Sequence, residues 1–220
     1  MDAIYRALLS HFGPQHWWPG DSPFEVAVGA ILTQNTSWKN VAAAIENLRR
    51  RNLLEPHALD KLPISELAEL IRPAGYFRLK AKRLKNFLRW LIRRFDGSME
   101  AMAAVSLSTL REELLSINGI GPETADSILL YAVGKPTFVV DAYTHRIAVR
   151  HGWLEPEAGY EELKEYFESR LPDDVPIFNE MHALLVQVGK KYCRPREARC
   201  DECPLKPFLP DDGPRKPESA

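Results

Sequence analysis

β-Structure is what this sequence has least of. Its one β-branched run, Thr137-Phe138-Val139-Val140, is too short to build a sheet, while apolar residues keep helical spacing along most of the chain. No apolar run approaches the ~20 residues of a membrane span, so no membrane partner is expected. An excess of charge of one sign is also missing. The 29 Lys and Arg balance 30 Asp and Glu, for a formal net charge of -1, so any affinity for nucleic acid must come from a local patch. The opening MDAIYRALLSHF lacks the basic start and small-residue cleavage site of a secretory signal, and a cytoplasmic protein is expected. Cysteine is scarce. The three present, Cys193, Cys200 and Cys203, are odd in number and confined to one short stretch. That argues against a disulfide framework and for a metal or cluster site.

What is there is helix. With 220 residues and 45% hydrophobic content the chain can bury a core as one domain or as two lobes. The periodicity predicts an all-α fold with helices over 3–12, 24–32, 38–50, 64–71, 79–95, 107–117, 122–133, 142–151, 160–170 and 178–190. Short connections carry Pro or Gly, as in Trp18-Pro19-Gly20, Asp96-Gly97 and Gly134-Lys135-Pro136. The tail 210–220 is polar and proline-rich and is expected to be disordered. Residues 78–95 hold eight Lys or Arg and no acid. They read as an amphipathic helix with a basic outer face, which is either merely solvated or set against phosphate. The acidic stretch 155–168 is expected to face away from any polyanion.

Two features sit together in 114–146. The first is a turn, Asn118-Gly119-Ile120-Gly121, between two apolar-periodic helices. Its glycines permit positive φ and close backbone approach, and Pro122 suits the first helical position. Backbone N–H groups there meet the positive end of a helix dipole and can hold an anion such as a DNA phosphate. A bare helical hairpin with a glycine turn would look the same. The second is Asp141, closing the run Phe138-Val139-Val140. It is either a reactive carboxylate, a helix N-cap, or both.

The pattern L-x-x-I-x-G-I-G-x-x-T-A, followed by V-V-D and an Arg, resembles the helix-hairpin-helix DNA glycosylase superfamily of the endonuclease III type. The resemblance runs over nearly the whole chain. It takes in Leu32-Thr33-Gln34-Asn35, Gly75-Tyr76 with Lys80-Ala81-Lys82, the hairpin, Val140-Asp141, Arg146 and the terminal cysteines. It implies a bilobal all-α fold: a six-helix barrel lobe over 22–134, with the hairpin at about 107–133, and a second lobe from 1–21 plus 135–209. It also implies a monomer that binds double-stranded DNA containing a damaged base and flips that base out of the stack. Asp141 matches the catalytic aspartate, which stabilises positive charge on the sugar as the base leaves. The residues implied at the DNA are Gln34, Asn118, Gly119, Ile120, Gly121, Lys80 and Lys82, with Gln34 resembling the side chain pushed into the gap left by the flipped base.

One departure bears on mechanism. Strand-cleaving members carry a lysine two residues after the second hairpin glycine, which forms a Schiff base with the sugar. Here that residue is Glu123, and a monofunctional enzyme using water is expected. The segments H-W-W-P, L-T-Q-N-T-x-aromatic and G-I-G-x-E-x-A-D resemble the 3-methyladenine DNA glycosylase III subfamily. That likeness implies that Trp17, Trp18 and Trp38 line the base pocket, although core packing is the usual fate of such residues. A cationic alkylpurine gains cation–π attraction between indoles. The alternatives are an endonuclease III-like glycosylase for another damaged base, with or without lyase activity, and a non-catalytic hairpin module. Glu123 speaks against the oxidised-pyrimidine type. The C-terminal extension expected of a mismatched-adenine enzyme is not seen. Cys193-x6-Cys200-x2-Cys203 matches three ligands of the family's [4Fe-4S] loop, but the fourth position is Leu209. A cluster with another donor such as Asp211 or Asp212, a zinc ion held by three cysteines and one more donor, and a relic loop of free thiols all stay open.

Overall fold

The computed structural model describes residues 1–215. Its elements are α1 (Asp2–Phe12), α2 (Pro23–Leu32), α3 (Trp38–Arg50), α4 (Pro56–Lys61), α5 (Ile64–Leu70), α6 (Phe77–Phe95), α7 (Met99–Ala103), α8 (Leu107–Leu115), α9 (Pro122–Ser127), α10 (Ala142–Arg150), α11 (Tyr160–Glu168) and α12 (Val175–Lys191). No strand occurs among the described residues, and the fold is all-helical. The chain divides into two compact units. One is Trp18–Lys135; the other joins Met1–Trp17 to the described residues from Pro136 onward.

Helix starts follow the local chemistry. Ser22, Glu55, Ser98, Ser106, Asp141 and Asp174 each accept an N–H of the first turn, satisfying donors that have no partner within the helix. The short helices α4 and α7 fall outside the expected set, since six and five residues are too few to show a period. The expected helix 122–133 is instead α9 followed by a π-turn over Ile128–Ala132, where Val133 N donates to Ile128 O at 3.1 Å.

The core of the Trp18–Lys135 unit includes Val28, Ile31, Leu32, Leu84, Phe87, Leu88, Leu114 and Leu129. Within it α6 departs from a simple basic outer face. Lys80 is 1% exposed, and its ammonium donates to Leu32 O at 2.9 Å and Ala74 O at 2.7 Å. Lys85 does the same for Leu59 O and Asp60 O at 3.0 and 2.5 Å. Two of the eight cations therefore satisfy carbonyls at segment ends, which would otherwise be buried without donors. Within the segment 210–215, Arg215 contacts its own unit. Arg215 N donates to Arg150 O at 2.9 Å and its guanidinium pairs with Glu155 at 3.0 Å. The rest of the expected disordered tail lies outside the described residues.

Candidate active site

The hairpin is built from α8, α9 and the turn between them. Arg111 on α8 grips Asp126 on α9 with bonds of 2.8 and 3.1 Å, and Asp126 has no exposure at all. Ile120 is buried and anchors the turn, which leaves its side chain unavailable to a ligand. Gly119 sits at φ 97, and a Cβ there would lie 2.3 Å from Arg83 Cγ. Gly121 sits at φ -93 with nothing within 4 Å of where a Cβ would stand, so neither its dihedral nor its surroundings in the chain require glycine. Asn118, Gly121 and Glu123 are exposed.

Helix α6 braces this turn. Asn86 Nδ2 donates to Asn118 O at 3.0 Å. Gln34 Nε2 donates to Gly119 O at 3.0 Å and Thr124 Oγ1 at 2.9 Å, while Arg83 donates to Gln34 Oε1. Gln34 is therefore pinned to the hairpin in this conformation, and occupying the gap behind a flipped base would break three bonds. An open recess is lined by Gln34, Asn35, Tyr76, Leu79, Lys80 and Arg83. Burial, then the Arg83 charge, pushes the Lys80 amine down to about 8. Lys80, expected at the DNA, turns its ammonium inward onto two carbonyls. Lys82 is exposed. The expectation missed Arg83, which holds Gln34, and gave no role to Tyr76, which is 70% exposed at φ 44.

Of the three tryptophans, Trp18 and Trp38 meet edge-on, with ring centroids 5.3 Å apart. Tyr131, presented by the π-turn, lies 5.2 Å from Trp18, with the rings tilted by 38°. Trp18 reaches this position over Gly29, where a Cβ would stand 3.3 Å from the indole Nε1. Trp17 belongs to the other unit, where the Lys190 ammonium lies 5.8 Å from its ring centroid.

Asp141 caps α10. Its Oδ1 accepts from Thr144 N at 2.7 Å and Thr144 Oγ1 at 3.0 Å. Its Oδ2 faces His182 Nε2 on α12 at 3.6 Å, with the two side chains 14% and 6% exposed. Burial alone would raise the carboxyl. The His182 ring and the Thr144 donors outweigh it and hold the group below the usual carboxylate range. The site thus presents a partly accessible anion in a fixed orientation. Arg146 donates to Cys193 O at 2.7 Å and ties α10 to the chain beyond α12.

The cysteines gather at one recess with Arg150, His151 and Leu209. Burial, helped by the neighbouring thiols, pushes Cys203 up to about 11, and burial likewise raises Cys200. Arg150 donates to Cys193 Sγ at 3.2 Å and to the carbonyls of Arg194 and Pro195 at 2.7 and 2.9 Å. The donor set does not fit a cubane with four thiolate ligands. Three sulfurs are present, and the fourth position is an alkyl side chain that can donate nothing. Asp211 and Asp212 are exposed. Among the described residues, no three of His, Cys, Asp or Glu are grouped so as to hold a single metal ion.

A grooved hairpin and a capped, buried aspartate in an all-helical chain define a class, and the comparisons agree with it. The chain belongs to the HhH-GPD superfamily of base excision DNA repair proteins, whose model matches residues 28–173. Within it the chain is a DNA glycosylase of the endonuclease III type. A provisionally named DNA repair glycosylase of Methanocaldococcus jannaschii is 53% identical over 93% of each chain. Endonuclease III of Thermotoga maritima is 29% identical over 94% of this chain and 90% of its own. The crystal structure of the Helicobacter pylori 3-methyladenine DNA glycosylase bound to 1,N6-ethenoadenine matches with a TM-score of 0.74. It is 32% identical to this chain, covering 86% of it and 96% of that chain. An endonuclease III–DNA complex shares the fold at a TM-score of 0.81 and 22% identity, over 94% of this chain and 92% of that one.

Proposed function

We propose that this protein is a monofunctional glycosylase that hydrolyses the N-glycosidic bond of an alkylated purine such as 3-methyladenine in double-stranded DNA. The observation that carries the reading is Asp141: a carboxylate held charged and oriented by Thr144 and His182, yet still partly accessible. As the base departs, positive charge grows on the sugar, and a preoriented anion stabilises it more than it stabilises the ground state. Water completes the reaction. The hairpin offers exposed backbone around Gly121 for the phosphodiester chain, a contact that orients the duplex without reading its sequence.

Two observations support the finer assignment. Glu123 occupies the place where a Schiff-base lysine would stand, and a carboxylate cannot form an imine. The Trp18–Trp38–Tyr131 cluster offers aromatic faces and edges suited to a cationic base, which gains cation–π attraction over neutral adenine. The likeness to the H. pylori enzyme, at 32% identity, points the same way. The second reading, a glycosylase for another damaged base, rests on the relatives named endonuclease III. No step of the proposed reaction passes through the cysteine loop.

The test is single-turnover release of free bases from methylated duplex DNA by wild type and Asp141→Asn. Release of 3-methyladenine that is abolished in the variant supports the proposal. A variant as fast as wild type refutes the role of Asp141. Release of oxidised pyrimidines instead of alkylpurines moves the chain to the second reading.

A further inference from the structure

The carboxylate of Asp141 has two oxygens, and they are held differently. Oδ1 takes both of its donors from Thr144, in the first turn of the same helix. Any N-cap aspartate can do that, and it leaves the carboxylate free to swing about the held oxygen. Oδ2 meets His182, 41 positions further along the chain on α12, at 3.6 Å. His182 is 4% exposed and stands edge-on to the Phe138 ring, with centroids 6.4 Å apart.

The approach is set by a close helix crossing. At Gly189 a Cβ would stand 2.2 Å from Tyr143 Cδ1 and 2.6 Å from Tyr143 Cγ, so only glycine lets α10 seat this deeply on α12. Residues 182 and 189 are about two helical turns apart and share one face of α12. Tyr143 in the notch at Gly189 therefore brings the head of α10, where Asp141 caps it, beside His182. Arg146 reinforces the crossing by donating to Gly189 O at 3.5 Å. A residue there only to fill space would be cheaper as leucine or phenylalanine, since a buried imidazole must find partners for its nitrogens.

We infer that His182 is a positioning residue for Asp141: its Nε2 faces Oδ2 at ion-pair distance while Thr144 hydrogen-bonds Oδ1, so that the carboxylate keeps one plane toward the sugar. This rests on the reading of Asp141 as the catalytic carboxylate. The titratable group set against Asp141 is His182 from α12; α10 contributes the Thr144 amide and hydroxyl. Removing His182 therefore does two things. It lets the carboxylate rotate, and it moves the carboxyl back up toward the burial-raised side.

The experiment uses the full chain and 3-methyladenine-containing duplex. It compares His182→Leu, His182→Gln, His182→Asn and Asp141→Asn in single turnover, with DNA affinity, melting temperature and the rate–pH profile read alongside. Misplacing a reacting group by about 1 Å costs about 10²-fold in rate, and His182→Leu is expected to lose that much with DNA affinity unchanged. The acid limb of its profile is expected to move to higher pH. The glutamine amide reaches where Nε2 stood and is expected to recover most of the rate. The asparagine amide reaches only as far as Nδ1 and is not. If the leucine variant fails to fold, the Gln–Asn contrast and the acid limb still decide. Equal rates for Gln and Asn, or an unmoved acid limb, overturn the inference. So does a leucine variant as fast as wild type while Asp141→Asn is dead. If Asp141→Asn itself releases base at the wild-type rate, the catalytic reading beneath the inference has failed.

Discussion

The two hairpin glycines look alike in sequence and should behave oppositely. Gly119→Ala must place an L-residue at φ 97, with its Cβ 2.3 Å from Arg83 Cγ and 2.9 Å from Arg83 Cδ. The dihedral costs about 1–2 kcal/mol. Arg83 can swing away, since the clash is with a flexible side chain, but it then gives up its bond to Gln34, worth about 1 kcal/mol. Against this, replacing glycine stiffens the unfolded chain and returns about 0.4–1 kcal/mol. The net destabilisation is about 1–2.6 kcal/mol. For a chain of this length about 1 kcal/mol shifts Tm by roughly 2–4 °C, so scanning calorimetry should show a fall of about 2–10 °C. Gly121→Ala meets nothing within 4 Å and sits at an ordinary φ of -93. Only the unfolded-state term remains, and Tm should hold or rise slightly. The new methyl stands on the exposed side of the turn, however, and duplex binding measured by fluorescence anisotropy should weaken. A Gly119→Ala protein within about 1 °C of wild type would refute this account of the turn. A Gly121→Ala protein that melts as early as Gly119→Ala would refute it too.

Further consequences can be measured with the same protein. Glu123→Lys restores an amine at the hairpin and should yield a borohydride-trapped covalent DNA adduct; wild type should yield none, and a wild-type adduct would end the monofunctional reading. Lys80 has a folded value of about 8, below its ordinary value of 10.5. Its contribution to stability is therefore present above that ordinary value and lost as pH falls through about 8. Wild type should gain stability over Lys80→Met between those limits, and a flat difference across that window would contradict the burial. Gly189→Ala should lower Tm and slow base release together, because α10 can no longer seat on α12; unchanged values for both would remove the role of that crossing. Because the cysteine loop lacks a fourth sulfur, iron analysis should fall short of a full cubane complement, and all three thiols should titrate in denaturant.

Much of the fold was legible because it rests on local signals. The apolar period located ten helices, and Asp141 marked one start by the same capping chemistry seen in the structure. What escaped was whatever depends on a neighbour distant in sequence. Lys80 and Lys85 read as surface cations because the spacing of a helix says which face they share, not that carbonyls wait there. Those carbonyls come from Leu32 and Ala74 in one case and from Leu59 and Asp60 in the other. Lys80, expected at the DNA, directs its ammonium to those carbonyls instead, while Lys82, two residues on, is exposed.

The site divides along the same line. Asp141, the hairpin and Glu123 could be named from the sequence because each sits within a short motif. Tyr131 was missed because a π-turn, with its i→i+5 bond, rotates it off the face a 3.6-residue period assigns. His182 was missed because nothing local marks it: it is one polar residue in the apolar run of α12, and only the notch at Gly189 brings it to the carboxylate. The sequence signal was present in two halves, a histidine within the apolar stretch Met181–Val186 and a glycine seven residues after it on the same face. Neither half means anything alone. A buried imidazole needs a partner, and a mid-helix glycine costs about 1 kcal/mol unless something packs against it. Taken together they say that α12 receives another helix closely and offers it a polar contact near its head. In this chain the helix received is the one that Asp141 caps.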